Sequence, residues 1–351
     1  MHTLSAVVGG LANIASGNQS IVAGGQSNTA SSTYTFVGGG LGVCATGYAS
    51  TAAGGRNTRA SGTYSVAVGF NNTSSAYAST VSGGDSNTAN ANRTTVGGGY
   101  ANTASGYNAT VAGGWGNTAS GQRSFVGGGL ANTSSNTYAA VVAGNANCAT
   151  STYSFVGGGQ INCVINAGHS VIGGGYQNTV NGCQSVIVGG RGNTASGYWN
   201  FIGGGFSNSS SSESVVAGGV CNTASGYRST IGGGWGNAAS GCQSTVAGGR
   251  ANTASGYRSA VLGGQSNTAS ASFSGAFGCG LTANVACTFF TNNSCTCGTV
   301  TATCFVETSS ERFKCCIQPL SSTGQIIKDL NPVRFKWIDQ NKGTQDEYGL
   351  I

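Results

Sequence analysis

Val96-Gly97-Gly98-Gly99-Tyr100-Ala101-Asn102-Thr103-Ala104-Ser105-Gly106-Tyr107-Asn108-Ala109-Thr110 is one copy of a 15-residue unit that makes up most of the chain. The next copy starts at Val111, and its asparagine, Asn117, falls 15 residues after Asn102. The same asparagine recurs at Asn72, Asn87, Asn132, Asn147 and Asn162. After one-residue slips it resumes at Asn178, Asn193 and Asn208, and again at Asn222, Asn237, Asn252 and Asn267. A fixed period of this length is the signature of a solenoid, in which each unit is a coil that touches only its neighbours. Spacings of 14 into Asn57, 16 into Asn178 and 14 into Asn222 read as clipped turns or small bulges, which loops absorb cheaply.

Counted from the asparagine, position 3 is small (Ala104, Ala119, Ala149) and position 5 is often glycine (Gly106, Gly121). Position 10 is a β-branched anchor: Val96, Val111, Val126, Val156, Ile202, Ile231, Val246 and Val261. These are the expected core, each on a short strand with one buried face. A glycine pair such as Gly113-Gly114 follows and marks a tight turn. Stacking about 18 such coils, with strands about 4.8 Å apart, predicts a rod of about 85 Å. A core of Val, Ile and Ala methyls is thin, so hydrogen-bond ladders between coils, asparagines included, have to contribute. Leu11, Leu41, Phe70, Tyr100, Trp115, Leu130, Tyr176, Phe206 and Trp235 share one phase after the glycine pair. That stripe reads either as a seam between subunits or as a ligand-facing strip.

Composition narrows the class. Glycine is 63 of 351 residues but not every third, and there are two prolines, which excludes collagen. A flexible Gly/Ser linker has no reason to keep Val, Ile and aromatic residues in register. No run long enough to cross a bilayer is present, and the first 20 residues lack a signal-peptide pattern. The net charge of +6 comes from eight arginines spread through the repeats against Asp85 and Glu213. So sparse a field makes no nucleic-acid footprint, and without an apolar span no membrane insertion is expected. With one aspartate and one glutamate in the rod, paired-carboxylate glycoside hydrolysis and calcium-binding repeats are both disfavoured. His2 and His169 are isolated, and no cofactor is implied.

The expected organisation is a rod over 1–278, a cysteine-rich neck over 279–308, and a third segment, 309–351, of different composition. That last segment reads as mixed α+β: helix-like from Gly324 to Leu330, then strand-like alternation from Pro332 to Ile338. Forty-odd residues are too few for a core of their own, so it reads as the start of a larger domain.

Two resemblances extend this reading. Ser65-Val66-Ala67-Val68-Gly69 and the Asn-Thr-Ala-Ser-Gly stretches, such as Asn117 to Gly121 and Asn252 to Gly256, resemble the head repeats of YadA-like trimeric autotransporter adhesins. The resemblance implies a left-handed parallel β-roll packed as a homotrimer and used for display or adhesion. Here the period is nearer 15 than 14, and the glycine pair is added. The end resembles the start of the S74-type intramolecular chaperone domain at the C-terminus of phage tailspikes and fibres. The matching blocks are Ser309-Ser310-Glu311-Arg312-Phe313-Lys314, Ile317-Gln318-Pro319-Leu320, Leu330 to Trp337, and Tyr348-Gly349-Leu350-Ile351. This resemblance implies trimer registration followed by self-cleavage, with Ser309 as nucleophile and Lys314 as its base. A serine hydroxyl needs such a base, and a lysine serves when its pKa is lowered. The family's aspartate after the serine is Ser310 here, and its asparagine before the isoleucine is Cys316.

Thirteen cysteines are an odd number, so one chain cannot pair them all. Cys148 and Cys163 occupy the same position in adjacent coils and either form a disulfide or remain free thiols. Cys295 and Cys297 could cross-link chains, hold a metal as thiolates or stay free. The functional expectation is a homotrimeric structural fibre on a virion surface or extracellular appendage, joined to other virion or appendage proteins. The alternatives are a head that binds a host-surface receptor or glycan, and an ice-binding solenoid; the latter would need ranks of Thr-x-Thr that are absent.

Overall fold

The structure, a computed structural model, describes residues 4–292 and the backbone of two further strands, Pro332–Phe335 and Glu347–Leu350. The chain divides into two units, 1–294 and 295–351. The first is an all-β parallel solenoid whose two main ladders hold 20 and 19 strands. In the second, the two strands pair antiparallel, Pro332 opposite Leu350 and Phe335 opposite Glu347.

One coil shows how the sequence makes the fold. Thr110–Val111 lies in the first ladder, in register with Thr95–Val96 before it and Phe125–Val126 after it. The chain turns through Ala112, Gly113 and Gly114 and joins a third ladder of single bridges at Trp115, between Tyr100 and Leu130. It then enters the second ladder as Thr118–Ala119, paired with Thr103–Ala104 and Thr133–Ser134. A last turn from Ser120 to Ser124 returns it to the first ladder. Each residue therefore meets the equivalent residue of the next coil, which is why identity at a fixed period becomes parallel pairing.

The interior is narrow and half polar. Val96, Val111, Val126, Val156, Ile202, Ile231, Val246 and Val261 are all fully buried, and Ala104, Ala119 and Ala149 face them from the second ladder, also fully buried. Two polar columns run beside these methyls. The asparagines from Asn72 to Asn267 make one, and Ser124, Ser154, Ser185 and their equivalents make the other. The asparagine amide is used completely. Asn117 donates from Nδ2 to the Gly113 and Gly129 carbonyls at 2.9 Å each, and its Oδ1 accepts the backbone N–H of Asn132 at 2.9 Å. The column thus stitches each corner to the next coil, mostly through amide-to-backbone bonds; direct amide-to-amide bonds, such as Asn178 to Asn162 at 3.0 Å, are an addition.

The glycine pair has unequal members. Gly114 sits at φ +93°, and a Cβ there would lie 2.3 Å from the Gly129 carbonyl oxygen and 2.5 Å from Asn117 Nδ2. At Gly113 the nearest atom is 4.0 Å away. Only the second glycine is required by the packing. Two further positions per coil adopt the left-handed region without glycine, as at Ala101 (φ 55°) and Asn108 (φ 57°). Each such residue costs about 1–2 kcal/mol. Their N–H groups bond one coil back, Ala101 to the Asp85 carbonyl at 2.9 Å and Asn108 to the Asn92 carbonyl at 3.1 Å, so the conformation is held by the ladder.

Of three details of the layout, two differ from expectation and one, the placing of the slips before Asn178 and Asn222 in turns, agrees with it. Thr58, not Asn57, occupies the asparagine column, because its hydroxyl bonds the Gly69 carbonyl in place of an amide. The 14-residue step therefore falls one coil later, between Arg59 and Thr73, where Val66–Phe70 turns on the single Gly69 and pairs with Thr51–Arg56 around an irregularity between Ala52 and Gly54. The extra residue before Asn178 lies in the turn between Cys163 and Val171, and the residue missing before Asn222 lies in the turn between Ser209 and Val215. Finally, the ladders run past residue 278: Thr282–Ala283 pairs with Thr268–Ala269, and Phe289–Thr291 pairs with Gly275–Phe277. The period is 14 there, so counting in fifteens loses the last coil.

Candidate functional site

Each coil offers four outward surfaces. Beside the buried anchors of the first ladder, one outward column holds Ile21, Phe36, Thr110, Phe125, Phe155 and Phe201, and a second holds Gly97, Ala112, Gly127, Val142, Val188 and Leu262. Over all 20 strands of this ladder, neither column contains a charged residue. Phe125 is 40% exposed and Val188 52% exposed, so the face is uncharged, mostly apolar with threonines among the apolar side chains, and open in the single chain. Its sequence signal is the pair of residues flanking each anchor, a phase different from that of the aromatic stripe.

The stripe after the glycine pair is the third ladder, and it is mixed rather than apolar. Leu11, Gln26, Leu41, Arg56, Phe70, Asp85, Tyr100 and Trp115 follow one another along it. Tyr100 and Trp115 meet edge to face, with centroids 6.1 Å apart. Elsewhere, arginines cover the rings: Arg250 lies 4.4 Å from the centre of Trp235, and Arg191 lies over both Tyr176 and Phe206. The second ladder shows threonine outward, as at Thr103, Thr118 and Thr133.

The fourth surface is the turn between second and first ladders, where large side chains sit either on the left-handed residue, as at Tyr34 and Tyr64, or on the residue before it, as at Tyr48 and Tyr77. Tyr34, Tyr48, Tyr64 and Tyr77 run edge to face, and Tyr138, Tyr153 and His169 stack flat. This edge departs from its pattern most at the shortened turn. There Ser212 and Glu213 both take positive φ, and Gly197, Tyr198, Trp199, Ser212, Glu213 and Tyr227 line a cleft of about 230 Å³. Glu213 Oε2 accepts Arg228 Nε at 2.8 Å, the one ion pair among the described residues. That bond raises the arginine's pKa above its usual value, with the charges of Tyr227 and Glu213 adding to the effect. Asn200 stands where most coils have serine and a few have threonine or alanine, and its Oδ1 accepts Ser214 N–H at 3.1 Å, which anchors the short turn.

Cys148 and Cys163 face each other across the second ladder with Cα atoms 4.6 Å apart, and the structure joins them as a disulfide. Cys44, Cys183, Cys221, Cys242, Cys279 and Cys287 are free thiols. Ser309, Lys314, Cys295 and Cys297 lie outside the described residues. Among the described residues no cluster of His, Cys, Asp or Glu could hold a metal ion, and no helix is long and apolar enough to cross a membrane. Searched against protein-family models and against curated proteins, the chain matches none.

Proposed function

We propose that the protein is a structural fibre, three copies of which pack side by side along the uncharged face of the first ladder. The observation that carries this reading is that face: two adjacent outward columns with no charge along 20 strands, exposed in the single chain. A contiguous apolar surface of that length is uncommon on a monomer and fits an interaction surface. Gly, Ala and Thr keep it flat enough for close approach, and Phe125, Phe155 and Phe201 supply the anchors. The resemblance to YadA-like heads supports three-fold packing in a left-handed roll. The resemblance of residues 309–351 to the S74-type chaperone supports a segment that registers the three chains and then cuts itself off through Ser309 and Lys314. A rod of this kind serves as the shaft or head of a fibre on a virion surface or appendage. The self-cleavage is a single turnover, with no external substrate.

Sedimentation of the full chain tests the assembly. The expected mass is three times that of the chain in the sample, which is 34.5 kDa before cleavage and smaller after it, falling to one chain in a variant carrying Phe125→Glu and Phe155→Glu. A monomer in the unaltered protein overturns the reading. Denaturing mass measurement of the unaltered chain beside Ser309→Ala tests cleavage, and identical masses exclude it.

A further inference from the structure

We infer that the cleft at the shortened turn is a binding site for a pyranose ring of a carbohydrate. It goes beyond the fibre reading and does not depend on the number of chains in the assembly.

Three features at this place are built rather than incidental. The turn from Ser209 to Val215 is one residue shorter than the equivalent turns of its neighbours. Asn200 is the one amide among the serines, threonines and alanines of that buried column, and it holds the short turn: its Oδ1 takes Ser214 N–H at 3.1 Å and Ser210 Oγ at 3.3 Å. Its Nδ2 is buried and has no partner, and it lies 3.4 Å from the point a Cβ on Gly197 would occupy. The rod's single glutamate is placed there beside Tyr198, Trp199 and Tyr227.

The chemistry selects the ligand class. Tyr198 and Trp199 have ring centres 5.9 Å apart and planes tilted by 48°, and they are 60% and 57% exposed. Open, angled rings of this kind present apolar faces to the C–H side of a sugar, while nearby polar groups meet its hydroxyls. Glu213 Oε1 remains available to accept a hydroxyl, because the arginine contact is to Oε2. A cation, the usual alternative for an aromatic cluster with a carboxylate, meets two obstacles. Arg228 neutralises Glu213, and its guanidinium lies 4.8 Å from the centre of the Tyr227 ring. The cleft is therefore locally neutral, with one aromatic face covered, and suits an uncharged polyhydroxylated ring.

Calorimetric and saturation-transfer titrations of the full chain with methyl pyranosides of glucose, galactose, mannose and N-acetylglucosamine, and with tetramethylammonium chloride, test the assignment. At least one pyranoside is expected to bind saturably. Trp199→Ala and Glu213→Gln should each weaken it by about tenfold, the loss of one stacking ring or one charged acceptor, and Trp235→Ala should leave it unchanged. Circular dichroism and melting of each variant confirm that the coils are intact; Glu213→Gln keeps the assignment testable should Trp199→Ala fail to fold. Absence of saturable pyranoside binding overturns the inference. So does binding that survives both cleft variants, or binding of tetramethylammonium alone.

Discussion

The coil from Thr110 to Ser124 and the coil from Phe201 to Ser214 are built on one plan and diverge in one place. Both bury a β-branched anchor, Val111 and Ile202, and both turn on a glycine at φ near +92°, Gly114 and Gly205. Both bury an asparagine that bonds the glycine carbonyls on either side, Asn117 and Asn208. The main difference lies in the turn, and with it Ser210 stands fully buried where the first coil has Ala119. The turn from Ser120 to Ser124 keeps full length and hands Arg123 to the ring of Tyr138, whereas the turn from Ser211 to Ser214 is one residue short and opens a cleft. A solenoid can therefore vary its edge coil by coil while the interior columns stay in register, because a turn changes no ladder partner.

Substitutions can break this comparison in either direction. The largest effect is expected at the second glycine. Gly114→Ala and Gly205→Ala should each destabilise the rod by about 3 kcal/mol or more, since an added methyl meets a fixed carbonyl and φ is positive. Gly113→Ala, with open space at its Cβ position, should cost under about 1 kcal/mol. Urea unfolding of the three variants measures it, and equal costs would refute the distinction. Next comes Asn117→Ala, expected to cost about 2–4 kcal/mol because it leaves the Gly113 carbonyl and the Asn132 N–H without their amide partner. Asn117→Val should cost less, as Val43 already fills that column. The Cys148–Cys163 bond closes a loop spanning 15 residues. Chain entropy alone gives such a loop about 3 kcal/mol, but ladders on both sides already restrain these strands. Cys148→Ser with Cys163→Ser should therefore lose about 1–2 kcal/mol, read by melting with and without reductant. The smallest effect concerns the short turn: inserting a glycine after Ser211 should leave melting unchanged while closing the cleft. A large drop in stability would show that the turn belongs to the core.

Much of this was legible in the period. The β-branched anchors, the small position 3 and the asparagine column all follow from repetition at about 15 residues, because stacking equivalent coils places like residues beside like. The slip at Thr58 was not legible, since a hydroxyl replaces the amide there and the neighbouring Asn57 mimics the column residue. The left-handed positions were hidden for a related reason: Ala101, Tyr138 and Arg123 carry no glycine signal, and ladder hydrogen bonds, not intrinsic preference, hold them there. The aromatic stripe was visible as a phase, but its neighbours Gln26, Arg56 and Asp85 make it mixed, while the uncharged face lay at the positions flanking each anchor.

What the sequence alone determined is a parallel solenoid of short strands with a methyl-lined interior, because a period is a local property repeated along the chain. Tertiary structure decided which glycine is indispensable, which face is free of charge, and where Trp199 and Glu213 come together. Those depend on residues a full coil apart being brought about 4.8 Å from one another, a proximity that no stretch of 15 residues contains. In the coil that begins at Val96, repetition specifies the inside, and stacking between the coils that begin at Val81 and Val111 gives its outside a meaning.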